Sequence, residues 1–226
     1  MKNLQKNLVR TLALVFFLGG SFSLSAQKAG ETVKDVDGNE YKTVVIGSQT
    51  WFAENLKTTK YANGNKIENV TDKQRWVDCK SPAFCWYDNN ASNKDTYGGL
   101  YNWYAINAGN ICPNGWHVAT DADWNTLENK VGGRDKAAQA LRESGTDHWK
   151  AADGDFKDSY GFGMYAGGFR NAYGDFTWQT VDAGYWTATG KTPSYAWNRT
   201  AYYYDNHLNR HEIQKCFGYS VRCVKN

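Results

Sequence analysis

The sequence predicts an α+β domain in which short strands enclose two consecutive helices, and three observations carry that reading. Glycine outnumbers proline 22 to three, and ten tryptophans and fifteen tyrosines supply much of the apolar mass. That composition favours tight turns and short, aromatic-rich strands. A helical apolar period is confined to the middle of the chain, between Thr120 and Glu143. On either side of it, turn signals punctuate short apolar runs.

The first 26 residues read as a segment apart from that domain. Lys2, Lys6 and Arg10 precede a short apolar stretch, Thr11 to Leu18 with Phe22 and Leu24, and "SLSAQ" offers a small-residue cleavage site after Ala26. This is the pattern of a secretory signal, too short for a comfortable membrane span. The expectation is a mature chain that starts at Gln27, forms one domain over residues 27–226 and has no membrane span. No cysteine follows the apolar run to take a lipid. The three cations leave with the signal, so the 26 Lys and Arg of the whole chain fall to the same number as the 23 Asp and Glu. A neutral mature chain without a basic run argues against a nucleic-acid partner.

The domain opens as a meander. Val33 to Val36 and Glu40 to Ile46 flank Asp37-Gly38-Asn39, where Gly and Asn accept the positive φ of a hairpin turn. The Gly of "DVDGNE" is misplaced for a calcium-binding EF-hand. Gly47-Ser48 turns the chain again into "QTWFAENL". Residues 57–99 read as irregular, with "YANGNKIENVTD" a second hairpin, "CKSPAFCWYDNN" a cysteine-closed loop, and "YGGLYNWYAIN" after them a short helix or a bend. In "CPNGWHVATDADWNTLE", Asn114-Gly115 turns Trp116 and Val118 inward. Thr120 is then a helix N-cap, with Asp123 three residues on as in a capping box. Trp124, Leu127 and Val131 form one apolar stripe that ends at Gly132-Gly133. A second helix over Asp135–Glu143 turns Ala137, Ala138 and Leu141 inward. From Gly145 onward the chain reads as strand and loop, with a hairpin turning at Asp205-Asn206. In the last strand Phe217, Tyr219, Val221 and Cys223 share one face, and Ser220 and Arg222 the other.

Several side chains could carry chemistry. Asp153, Asp155 and Asp158 alternate in one loop, where carboxylates can wrap a hard cation, so calcium is the one cofactor the sequence suggests; a solvated acidic loop is the competing reading. His207 and His211 have the spacing of a zinc pair but no third ligand, and read as an exposed hairpin. There is no nucleophile elbow, phosphate loop or dinucleotide fingerprint, and "GFGMYAG" has the wrong glycine spacing. Five cysteines in an exported chain allow two bridges and one spare thiol. Cys79 with Cys85 would close a short loop around Pro82, leaving Cys216 unpaired, with Cys85–Cys216 the alternative.

The blocks "DVDGNEYKTVVIGSQTWFAENLK", "YGGLYNWYA", "CPNGWHVATDADWNTL", "YGFGMYAGGFR", "YWTAT" and "GYSVRCVKN", in that order, resemble the Fibrobacter succinogenes major paralogous domain family of exported bacterial proteins. The resemblance covers nearly all of residues 33–226 and implies no defined biochemical activity. More distantly, "WHVATDADWNTLENKVGG" followed by "GYSVRC" resembles the C-type-lectin-like and formylglycine-generating-enzyme superfold. That likeness implies an α+β domain with two helices, a twisted antiparallel sheet, a long irregular loop region and termini close together. It also implies a bridge between Cys112 and Cys223. The catalytic features of those relatives do not carry over: Cys216 lacks the partner that formylglycine chemistry needs. "AWNRT" lacks the Asp of a lectin Trp-Asn-Asp calcium site.

The functional expectation is an exported, non-enzymatic binding or adhesion module at or beyond the outer envelope, or in the periplasm, with a glycan or an extracellular protein as partner. The alternatives are a secreted glycan-active hydrolase, whose paired carboxylates leave no local signature, and a structural surface protein. A ligand is expected on the long-loop side, between Gly168 and Tyr204. There Trp178, Trp197, Tyr202 and Tyr203 would stack on it, with Asn171, Asn198 and Arg199 as hydrogen-bonding groups. Tyr202, Tyr203 and Tyr204 cannot all face one side of a strand. The competing reading is that these rings complete a small core.

Overall fold

The computed structural model describes residues 30–151 and 156–226; the segment expected to be a secretory signal and its expected cleavage site lie outside them. The first turn forms as its residues dictate. Asp35 Oδ1 accepts the amides of Asp37 and Asn39 at 2.9 Å each, and Oδ2 takes the Tyr41 hydroxyl at 2.7 Å. Gly38 supplies the left-handed step at φ 82°. Strands β1 (Val33–Lys34) and β2 (Glu40–Tyr41) therefore pair antiparallel, and β3 (Thr43–Ile46) turns at Gly47 into β4 (Gln49–Phe52).

The segment expected to be irregular is better organised than its composition suggests. Tyr61 to Asn65 closes a small hairpin with a Lys60–Lys66 bridge. Then β5 (Glu68–Asn69), α1 (Lys73–Asp78), β6 (Ala83–Cys85), α2 (Lys94–Tyr97), β7 (Leu100–Tyr101) and α3 (Trp103–Ala108) follow. Strand β6 lies between β5, to which it is parallel, and β7, to which it is antiparallel. The expected cysteine-closed loop is thus replaced by a strand. Cys85 is buried in β6, Cys79 caps the end of α1, and neither is in a disulfide. A strand that hydrogen-bonds on both edges cannot curl back on a cysteine six residues earlier. "YGGLYNWYAIN" holds both a strand and a helix, capped by Asn102, whose side chain accepts the Ala105 amide.

The central helices follow the sequence closely. Gly115 turns at φ 84°, and β8 (Trp116–Val118) buries Trp116 and Val118. Helix α4 (Asp121–Lys130) begins with a reciprocal capping box: Thr120 Oγ1 accepts the Asp123 amide at 3.2 Å, and Asp123 Oδ2 accepts the Thr120 amide at 2.8 Å. Trp124, Leu127 and Val131 are buried, as are Ala137, Ala138 and Leu141 of α5 (Arg134–Leu141). Beyond α5, the described residues up to Val181 hold only the two-residue strands β9 (Phe169–Arg170) and β10 (Phe176–Thr177), which is the long irregular region. A meander of β11 (Asp182–Gly190), β12 (Tyr195–Tyr202) and β13 (Asn209–Gln214) follows, and β14 (Cys223–Lys225) ends the chain. The architecture is α+β, with the strands divided among several small sheets rather than one.

The terminal segment joins these layers. Strand β14 is inserted between β4 and β8, which places the first and last parts of the domain in one sheet of order β3-β4-β14-β8. Its alternation separates two cores. Tyr219, Val221 and Cys223 enter a core with Phe52, Tyr101, Trp116 and Trp186. Val224 enters the other, with Trp51, Trp124, Leu127 and Tyr185. Cys112 and Cys223, 111 residues apart, form a disulfide. Between the two cores Arg222 is fully buried. Nε donates to Asn55 Oδ1 at 2.8 Å, Nη1 to the carbonyls of Phe52 and Phe162 at 2.8 and 2.6 Å, and Nη2 to that of Gly163 at 2.5 Å. Its guanidinium lies 4.4 Å from the centre of the Phe162 ring.

Three outcomes are expected from this arrangement. Replacing Cys112 and Cys223 together by Ser removes a long-range cross-link and should cost about 4–5 kcal/mol in the chain-entropy account, read as a lower urea midpoint. Arg222→Met leaves three loop carbonyls without a donor and should cost at least about 3 kcal/mol; Arg222→Lys should recover little, because an ammonium cannot reproduce the planar fork. The third concerns acid. Burial pulls the Asp37 carboxyl upward, but Lys60, the Thr59 amide and the Thr58 and Thr59 hydroxyls outweigh it and hold the pKa down to about 2. A carboxyl with a depressed folded pKa contributes stability that is complete above its unfolded value near 3.8 and is lost as pH falls toward 2. Asp37→Asn should therefore lower stability at neutral pH by on the order of 1 kcal/mol after solvent screening, and flatten the stability-versus-pH curve between pH 4 and 2.

Candidate functional site: an exposed aromatic surface

Two segments from the long-loop side meet at one surface. The turn after β10 carries Trp178, which is 52% exposed, and the end of β12 carries Tyr202, Tyr203 and Tyr204, of which Tyr204 is 62% exposed. The Trp178 ring stands edge-on to Tyr202 at 6.0 Å between centroids. Tyr202 and Tyr204, at i and i+2, stack 5.4 Å apart with their planes 2° from parallel. Tyr203 turns away from them, perpendicular to Tyr204, and packs against the second core with Lys150 over its ring at 4.7 Å. One of the three tyrosines does face away from the others, but β12 ends at Tyr202 and the turn that follows, not strand alternation, orients Tyr203 and Tyr204. Trp178 is anchored inward by Phe169, 5.7 Å away, which in turn stacks on Tyr219 at 5.0 Å.

The backbone beneath this surface is strained. Trp178 has φ +63° and Thr180 φ +66°, a left-handed conformation that a bulky or β-branched residue adopts at a cost of order 1–3 kcal/mol. Surrounding bonds enforce it. The Trp178 carbonyl accepts the amides of Val181 and Asp182, Thr180 donates to Ala166, and Lys150 donates to Thr180. Gly168 packs directly under the turn, where a Cβ would come within 2.5 Å of the Thr177 carbonyl. On the tyrosine side, the Arg142 guanidinium, buried against Trp149, donates to the carbonyls of Tyr202 and Tyr203 at 3.2 and 3.1 Å.

The electrostatics under the rings are those of a desolvated layer. Asp182, the register partner of Tyr202, is buried, and burial raises its carboxyl well above the usual range; its Oδ1 has no hydrogen-bond partner. Burial, and then the neighbouring Asp182, also push the Tyr202 phenol upward. His211 Nε2 lies 3.2 Å from the Tyr202 hydroxyl, and burial with Arg134 nearby lowers its pKa.

The other residues singled out in the sequence lie elsewhere. Trp197 faces out from the middle of β12 but is covered by Arg210, 3.2 Å from its ring centre, and by Lys191 at 4.6 Å. Arg199 is a correction: it is buried and pairs with Asp121 at 2.8 Å and Glu128 at 2.9 Å, tying the sheet to α4. Asn198 is a correction for the same reason, buried and accepting the Thr200 hydroxyl. As neighbours on β12 they point to opposite faces of the sheet, Arg199 toward α4 and Asn198 toward the other, also covered, face. Asn171 Oδ1 is engaged by the amides of Tyr173 and Asp175 in the turn between β9 and β10. Asp153 and Asp155 lie outside the described residues. Asp158 uses both carboxylate oxygens on the amides of Phe162 and Gly163. His207 sits 3.4 Å from Asp135, and among the described residues no cluster of metal-ligating groups forms. Phe169, Asp182 and His211 belong to the aromatic surface and were not foreseen there. Tyr204 could have been found from its i, i+2 relation to Tyr202.

Among the described residues no helix is long and apolar enough to cross a membrane. No curated protein and no solved structure shows a significant match to the chain. The domain described as the Fibrobacter succinogenes major domain does match, over residues 44–225. That span runs from β3 through β14 and takes in both cores, the disulfide and the aromatic surface, so the chain belongs to the Fibrobacter succinogenes major domain family.

Proposed function

We propose that this chain is an exported, non-enzymatic binding module whose ligand stacks on Trp178 and the Tyr202–Tyr204 pair. The observation that carries the proposal is the strained exposure of Trp178. A tryptophan held half out of the protein at φ +63° contributes little core packing, and its backbone costs energy. Flat rings of this kind, continuous with the core through Phe169, suit the apolar face of a sugar ring, and the ligand class is therefore a glycan. Export rests on the basic and apolar N-terminus. The proposed architecture is C-type-lectin-like, supported by three features: an early hairpin, β3-β4, in one sheet with the last strand, a disulfide from the helix entry to the terminal strand, and a long irregular region beside them.

The test is Trp178→Gly in the mature domain. Gly relieves the positive φ, so the melting temperature should stay within a few degrees of wild type or rise, while retention on a panel of immobilised polysaccharides falls at least tenfold. The panel is run with and without calcium. A loss of roughly 3–5 kcal/mol of stability, as for a buried aromatic, with retention unchanged per folded molecule, would show that the ring is structural and overturn the reading.

A further inference from the structure

The three cysteines outside the disulfide are not equivalent. Cys85 is fully buried in β6 beside Trp76 and Leu100, and burial pushes its thiol up to about 12, which leaves it unreactive. Cys79 and Cys216 are both partly exposed; Cys79 is the C-cap of α1, and Cys216 lies in the turn after β13. Cys79 follows the last turn of α1, its sulfur 3.2 Å from the Ser81 carbonyl and 3.9 Å from Asn102 Nδ2. Cys216 lies in the turn that Phe217 closes by donating to the Gln214 carbonyl at 3.0 Å, and its sulfur reaches Gln214 Oε1 at 3.7 Å.

The two segments converge on residues 101–103. Asn102 donates to the Ser81 carbonyl at 2.8 Å, which fixes the chain after Cys79. Trp103 donates to the Lys215 carbonyl at 2.9 Å, and Tyr101 exchanges backbone hydrogen bonds with Tyr219, which fixes the chain around Cys216. The helix that ends in Cys79 also packs on the segment after Cys216: a Cβ at Gly218 would lie 2.8 Å from the Trp76 ring. Tyr104 follows these anchor points on α3, and burial raises its phenol, with Cys216 and then Cys79 adding to the rise.

We infer that Cys79 and Cys216 form a second disulfide, closed by movement of the end of α1 and the turn after β13 toward each other. The chemistry is thiol–disulfide exchange. One thiolate attacks the disulfide of a small-molecule or oxidoreductase donor and expels a thiol, and the second thiolate then attacks the mixed disulfide and expels the other. One protein S–S bond forms from two S–H groups, two electrons pass to the donor, and the donor leaves as two thiols. The bridge closes a loop of roughly 140 residues, a length at which a cross-link restricts the unfolded chain strongly. It also ties the terminal segment at its start, as Cys112 ties it at its end.

The experiment is peptide mapping without reductant after the purified protein is incubated with oxidised glutathione and then alkylated with iodoacetamide, first native and then denatured. The expected result is a linked pair of peptides containing Cys79 and Cys216, two hydrogens lighter than the separate thiol forms, with Cys85 alkylated only after denaturation. Cys79→Ser and Cys216→Ser should each abolish that pair and leave the remaining partner alkylatable. Each should also melt several degrees below the oxidised wild type. Wild-type mapping decides the matter even if either variant fails to fold. Iodoacetamide labelling of both Cys79 and Cys216 after oxidation, a linked peptide containing Cys85, or a Cys216–Cys216 dimer on a non-reducing gel would overturn the inference.

Discussion

The guanidinium of Arg222 is the interaction on which the rest of the domain depends. It sits between two aromatic cores, and it donates to carbonyls of the β4 end and of the irregular segment at Phe162 and Gly163. The Phe162 and Gly163 carbonyls belong to backbone that forms no strand there, where a buried carbonyl needs a donor from elsewhere. Arginine is suited to the task because its donors form a rigid planar fork that can serve several acceptors at once. The buried charge is offset by these dipoles, by the Phe162 and Tyr185 rings and by the field of Asp158.

The same device recurs. Arg170, also buried, donates to the carbonyls of Val70, Thr71 and Gly174 and lies over Trp76 and Phe176. Arg142 holds the carbonyls of Tyr202 and Tyr203 against Trp149. In each case a guanidinium clamped on an aromatic ring gathers carbonyls from an irregular loop. This explains how a chain with many two- and three-residue strands keeps its irregular segments in place: cations supply donors that a sheet ladder would otherwise provide. Arg199 works differently, through carboxylates of α4, and joins the meander to the helix layer.

The aromatic surface inherits its shape from these clamps. Arg142 fixes the end of β12, while the bonds around Thr180 and the close approach of Gly168 hold the Trp178 turn. Beneath the rings, burial pushes Asp182 toward its neutral form. A rigid, partly exposed aromatic step is what stacking on a flat ligand requires, because little conformational entropy remains to be lost on binding.

The local features of this protein were determined by the sequence alone. The Asp37-Gly38 turn, the Thr120–Asp123 capping box, the apolar stripe of α4 and the alternation from Tyr219 to Val224 each depend on residues within a few positions of one another, and each formed as read. What lay beyond that range was decided by the tertiary structure. Cys79 and Cys85 are close in sequence, but strand pairing on both sides of β6 separated their fates. Arg199 reads as a surface cation until α4 brings Asp121 and Glu128 over it from more than 70 residues away. Trp178 shows no local reason to be left-handed, and its conformation comes from Gly168, Ala166 and Lys150 pressing on the turn from other segments. Hydrogen-bond and hydrophobic periodicities act over a few residues and can be read along the chain. Burial and exposure depend on which distant surface arrives, and only the assembled fold determines that.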